Sequence, residues 1–114
     1  MSLESEKLNR TVRHVIDLLA AHSFSELESV TDSIRMSAED MAEAIDAYPG
    51  KIVREIRPED IDVVQIDSPI EECWTVNVRL HTDQEGPSDL TASLTLVQDP
   101  SDTYRIELDD IHVL

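Results

Sequence analysis

The stretch Tyr104-Arg-Ile-Glu-Leu-Asp-Asp-Ile-His-Val-Leu114 decides the fold. Tyr104, Ile106 and Leu108 alternate with Arg105, Glu107 and Asp109, the period-two pattern of a strand with one face on a core and the other in water. At Asp109-Asp110 the parity slips, because Ile111 and Val113 would face the wrong side of a regular strand. One extra residue there, a β-bulge, returns both to the core side. Reading back along the chain, Leu90, Ala92, Leu94 and Leu96 alternate with Thr91, Ser93, Thr95 and Val97. Before them, Trp74, Val76, Val78 and Leu80 alternate with Thr75, Asn77, Arg79 and His81. Turns are expected around Gly86-Pro87 and at Asp99-Pro-Ser-Asp102. Three such runs predict an antiparallel meander with one dry face and one wet face.

Upstream the period changes. Leu8, Val12, Val15, Ile16 and Leu19 form one apolar stripe at helical spacing and predict a helix over residues 5–21. Its outer side carries Lys7, Arg10, Arg13 and His14. Ser23-Phe-Ser-Glu26 matches a capping box and starts a short second helix with Phe24, Leu27 and Val30 as its apolar side, interrupted at Thr31-Asp-Ser33. Ser37-Ala-Glu-Asp40 starts a third, a serine cap with acids in the first turn where the helix dipole favours them. Met41, Ala44, Ile45 and Tyr48 are its buried face, and Pro49-Gly50 stops it. Ile52, Val53 and Ile56 suit either a strand or a helical turn, and Pro58 ends both. Ile61-Asp-Val-Val-Gln-Ile66 reads as a strand bounded by Asp67-Ser-Pro69. The chain is therefore expected to be a single α+β domain, its N-terminal helices packed on a curved antiparallel sheet.

Composition narrows the function classes. The chain has 114 residues, 40% of them hydrophobic, enough for one core without staples. Its net charge is −16, with 25 acids against 9 bases, and six acids and no base stand between Glu59 and Glu72. Binding a phosphate backbone or an anionic membrane needs clustered Lys and Arg, so nucleic acid and membrane are not expected partners. Solubility, a salt-adapted source with only Lys7 and Lys51 as lysines, and electrostatic steering to a basic protein partner each account for the acidity. Met1-Ser-Leu-Glu4 lacks the apolar stretch of a secretory leader, and the single Cys73 suits a reducing compartment, so a cytoplasmic location is expected.

Thr11-Val-Arg-His-Val-Ile-Asp-Leu-Leu19 followed by Ser23-Phe-Ser-Glu-Leu27, with the ending Leu94-Thr-Leu-Val-Gln-Asp-Pro-Ser-Asp-Thr-Tyr-Arg-Ile106 and Asp109-Asp-Ile-His-Val-Leu114, resembles the cystatin-like cone of the nuclear-transport-factor-like superfamily. The chain is also similar to small uncharacterised bacterial stand-alone domains. The resemblance implies a pocket at the cone mouth and no single reaction, since isomerases, dehydratases, cyclases, transport adaptors, secretion parts and immunity proteins share the fold. Its enzymes generally place an Asp/His or Tyr/Asp set inside the cone. The side chains expected inside here run from Trp74 to Leu108 with Tyr104 among them, and include no carboxylate or imidazole. The reading is therefore non-catalytic: a binding or accessory module acting through protein contacts, immunity-like against a basic toxin, with an enzyme or small-ligand carrier using the cone cavity as the alternative. Related cones often pair through the sheet, so a homodimer is a second expectation for partners.

The polar residues weighed for a binding site are Asn77, Arg79, His81, Tyr104, Asp109, Asp110 and His112. Asn77, Arg79 and His81 share outward parity with Thr91, Ser93 and Thr95 and form a polar recognition face. Arg79, Arg105 and Glu107 are placed to make cross-strand ion pairs. His81 and His112 with Asp109 or Asp110 would make a facial metal site if the strands brought them together, but no HxH, HxxxH or CxxC spacing supports one. No metal, cofactor or catalytic residue is expected. Cys73 stands beside Glu71 and Glu72, which oppose a reactive thiolate.

Overall fold

A computed structural model of the chain describes residues 3–31, 35–66, 72–99 and 104–113. Three helices come first: α1 (Leu3–Ala20), α2 (Phe24–Val30) and α3 (Ala38–Asp46). Five strands follow: β1 (Ile52–Val53), β2 (Ile61–Ile66), β3 (Cys73–Thr82), β4 (Gly86–Gln98) and β5 (Tyr104–Val113). The α+β architecture, helices preceding an antiparallel sheet, is the one the patterning predicts.

The sheet is built on the β3–β4–β5 meander. β1 and β2 both pair antiparallel with the same side of β3, β1 against Thr82 and His81 and β2 against the run from Val78 to Cys73. Helix and sheet then bury their apolar sides against each other. Leu8, Val12, Val15, Ile16 and Leu19 of α1, Leu27 of α2, and Met41 and Ile45 of α3 join Trp74, Val76, Val78, Leu80, Leu90, Ala92, Leu94, Leu96, Ile106, Leu108 and Ile111 in one cluster. Burial of each such side chain contributes about 1.5–3 kcal/mol, which makes this layer the main source of stability. Tyr104, expected inside, is half-buried at its margin and meets Trp74 edge-on at 5.5 Å between ring centroids.

The bulge on the last strand is present. Ser93 pairs with Asp110 while Leu94 pairs with Leu108, so Asp109 is the extra residue. Ile111 regains the core and is 6% exposed, but Val113 is 58% exposed and does not. Val113 pairs with Leu90 at the end of the ladder, where the helices do not cover it.

Several local expectations are corrected. Ser23 caps α2 without a side-chain hydrogen bond, its backbone at φ −87°, ψ 58° lying outside the extended conformation a capping box uses. Instead the Glu28 carboxylate accepts from the first amide of α3, that of Ala38. Ser37 and Asp40 do form a reciprocal capping box on α3. Val30 is exposed, because a seven-residue helix has room to bury little beyond Leu27. Residues 51–57 form only the two-residue strand β1. Gly86 and Pro87 belong to β4, and the turn is Asp83–Glu85; Gly86 at φ +71° supplies the left-handed residue that a three-residue hairpin requires. The turns at Asp67-Ser-Pro69 and at residues 100–102, and the break at residues 32–33, lie outside the described residues.

Gly50, at φ +92°, turns the chain from α3 into β1 beside this hairpin. The Lys51 amide donates to Asp83 Oδ1 at 2.8 Å, and the Asp83 amide donates to the Lys51 carbonyl at 2.9 Å. The Tyr48 hydroxyl donates to Glu85 Oε1 at 2.8 Å. That bond, with some burial and the Glu85 charge, holds the phenol pKa above its ordinary value.

Candidate functional site

The strand alternation that points Val76 and Val78 at the helices points Asn77, Arg79, Thr91 and Ser93 to the opposite, outer face. Register arranges them in rows. Asp62, Asn77, Ser93 and Asp110 make one row, and Arg79, Thr91 and His112 the next. Ser93 donates to the Asn77 carboxamide oxygen at 2.6 Å, and Thr95 donates to Asp109 Oδ2 at 2.6 Å.

The connection from β1 to β2 folds over one end of this face. Arg57 precedes a proline and is held extended, and Pro58–Asp60 forms a single 3-10 turn. The Asp60 amide donates to the Arg57 carbonyl, and Asp60 Oδ2 accepts in return from the Arg57 amide at 2.9 Å. The same oxygen lies 2.6 Å from Nε2 of His81, which is fully buried. An ionised carboxylate only accepts, so Nε2 carries the proton of this bond. Nδ1 of His81 has no hydrogen-bond partner among the described residues and stands 3.9 Å from Glu55 Oε2. Burial alone would raise the pKa of Asp60. The His81 hydrogen bond, the Arg57 amide and the electrostatic pull of His81 and Arg57 outweigh it and hold the carboxyl below its ordinary range.

This pairing corrects the expectation that His81 belongs to an open polar face. By alternation it has the outward parity of Asn77 and Arg79, but the 3-10 turn covers it. β4 also bulges opposite it: Arg79 pairs with Thr91 while His81 pairs with Pro87. Ser88 in the bulge is buried and donates to the Leu80 carbonyl at 2.7 Å. Thr91 is buried as well.

Beside the Asp60–His81 pair opens a cavity of about 340 Å³ lined by Glu59, Asp60, Asp62, Asn77, Arg79 and Thr91. Two of the residues singled out from the sequence, Asn77 and Arg79, line it. The others stand elsewhere. Tyr104 lies under the Lys7 ammonium, 6.0 Å from its ring centroid. Asp109 Oδ1 faces Arg35 at 3.8 Å, and Asp110 Oδ2 faces His112 Nδ1 at 3.2 Å. The two histidines thus take separate carboxylates, and among the described residues no three metal-ligating side chains come together. Arg105 meets Glu107 along its own strand at 3.7 Å, and Arg79 makes no ion pair with either. Asp60 is the residue that sequence reasoning passed over. An acid three positions after Arg57, in Arg57-Pro-Glu-Asp60, was its available signal.

Residues 16–114 match a family described as a domain of unknown function, DUF7668. The chain belongs to this family. The match takes in the end of α1, from Ile16, and every later element, including the 3-10 turn, the cavity and the bulged last strand. No curated protein and no solved structure matches the chain.

Proposed function

We propose that this DUF7668 chain is a small non-catalytic binding module that engages a basic protein partner along the free edge of β2. The observation that carries this reading is the exposure of that strand. Val63, Val64 and Ile66 are 40%, 54% and 38% exposed, and β2 pairs with β3 alone. One row of its backbone N–H and C=O groups therefore has no strand partner among the described residues. Protein edges of this kind are usually blunted with lysine or proline, and β2 contains neither. An extended segment adding to the edge would gain main-chain hydrogen bonds and apolar contacts with Val64 and Ile66. Glu59 shortly precedes the strand, Asp62 lies within it, and the net charge of −16 steers a basic partner toward it.

The nuclear-transport-factor-like cone, a cytoplasmic location and an immunity-type role against a basic toxin belong to the same proposal. Helices followed by a meander support the first, the lone free Cys73 the second and the charge the third. A homodimer through β2 is less favoured, because each protomer would bring the same negative charge to the contact. Nucleic acid and anionic membranes are opposed by that charge too; among the described residues no helix is long and apolar enough to cross a membrane. An enzyme or carrier with a cavity inside the cone finds less support, since one apolar cluster fills the space between helices and sheet.

The test is titration with a synthetic peptide of alternating lysine and valine at low and high salt. Affinity should fall steeply with salt and be lost in Val64→Lys. Salt-insensitive binding, or binding that Val64→Lys leaves unchanged, contradicts the proposal.

A further inference from the structure

The outer-face cavity joins the acids beside the β2 edge to a guanidinium that the edge reading does not use. Asp60 is already engaged by His81 and the Arg57 amide. The carboxylates left open on its rim are Glu59 and Asp62, both exposed. Arg79 lines the same cavity, is exposed, and has no ion-pair partner among the described residues, in a chain where acids outnumber bases 25 to 9. Asn77 spends its carboxamide oxygen on Ser93, which leaves its NH2 group to donate. The cavity therefore offers two anionic acceptors toward the β2 side and a guanidinium with an amide donor toward β3.

We propose that this cavity recognises a basic α-amino acid, with its carboxylate on Arg79 and Asn77 and its two cationic groups on Glu59 and Asp62. A planar guanidinium pairs a carboxylate through two parallel hydrogen bonds, the strongest contact available here. A ligand with one carboxylate and two cations neutralises every open charge at once. A simple cation leaves Arg79 unpaired and facing it, and a simple anion meets two carboxylates for one guanidinium. A divalent metal is opposed by Arg79 and finds no third ligand group among the described residues. At about 340 Å³ the cavity lies at the small end of ligand sites, as an amino acid requires. A free amino acid carries all three groups, whereas the α-nitrogen of a peptide's C-terminal residue is an uncharged amide and leaves one carboxylate unmatched. The site shares Glu59 and Asp62 with the partner reading but not Val64, which does not line this cavity.

The experiment is a titration of the full chain with L-arginine, followed through backbone amide shifts and calorimetry. Arginine methyl ester lacks the carboxylate and citrulline lacks the side-chain charge. Each should bind about tenfold more weakly than L-arginine. Arg79→Ala should erase the difference between arginine and its methyl ester, and Asp62→Asn should narrow that between arginine and citrulline. Val64→Lys should change neither, which separates this site from the β2 edge. A glycyl-arginine dipeptide, whose arginine α-nitrogen is an uncharged amide, should also bind more weakly than arginine, and tighter binding would contradict the use of both cations. No shift at Asn77, Arg79 and Thr91 in millimolar L-arginine, or equal affinity for the methyl ester, overturns the proposal.

Discussion

Nε2 of the buried His81 sits 2.6 Å from Oδ2 of Asp60, so one hydrogen bond fastens the β1–β2 connection to the middle strand of the sheet. Asp60 also lines the cavity and directly precedes β2. Removing Asp60 leaves the His81 ring buried with no hydrogen-bond partner among the described residues. Removing His81 leaves the Asp60 carboxylate buried with the Arg57 amide as its remaining donor. Asp60→Ala should cost about 3 kcal/mol in urea unfolding. The Asp60→Ala/His81→Leu double variant should lose less than the sum of the two single losses, because neither partner is then stranded. Additive losses would show that the two residues act separately.

The same carboxylate gives stability a pH dependence of definite sign. Its folded pKa is below the ordinary aspartate value of 3.8, so the unfolded chain binds more protons there at acid pH. The Asp60 contribution is fully present above that value and is lost as pH falls through the folded pKa. The stability gap between the natural chain and Asp60→Asn should therefore be constant above about pH 5 and shrink below pH 4. A gap that widens on acidification would reverse the assignment.

Asp109 is the inserted residue of the β5 bulge, and this makes a deletion test possible. Without Asp109, Leu108, Asp110 and Ile111 fall into regular in-out-in alternation and keep their partners Leu94, Ser93 and Ala92. Deleting Asp109 should cost only about 1 kcal/mol, the value of its bond from Thr95. Ile111→Asp, which buries a charge at an unchanged position, should prevent folding. Thermal unfolding followed by circular dichroism checks both.

Val63, Val76, Leu94 and Leu108 form one row across the sheet, and burial rises along it from a 40% exposed Val63 to a fully buried Leu94. Leu94→Ala should cost about 2–5 kcal/mol and Val63→Ala no more than about 0.5. A Val63 substitution as costly as the Leu94 one would mean that β2 is covered by something in solution.

Much of this architecture is legible in residue order. The α1 stripe, the inward residues of β3 and β4 and the Asp109-Asp110 slip follow from periods of 3.6 and 2 alone, because burial on one face imposes them. What the sequence hides is whatever depends on a long-range lid. His81 has the parity of a wet residue, and only the turn at Pro58–Asp60, 21 positions from its partner, makes it dry. Val113 fails in the opposite sense, apolar and in phase, yet beyond the reach of the helices. The exposure of β2 is hidden for the same reason, since its alternation cannot say whether a helix lies over the sheet edge. Asn77 and Arg79 were legible as outward residues, and their joining with Glu59 and Asp62 was not.

The most direct measurement is hydrogen exchange at the β2 amides, Ile61 to Ile66, in the free chain and with the lysine–valine peptide at low salt. The amides of β2 not bonded to β3 should exchange rapidly in the free chain and become protected when the peptide is present. That protection should disappear at high salt and in Val64→Lys. Protection already present without peptide, or peptide binding that protects some other element and leaves β2 unchanged, would contradict the proposal.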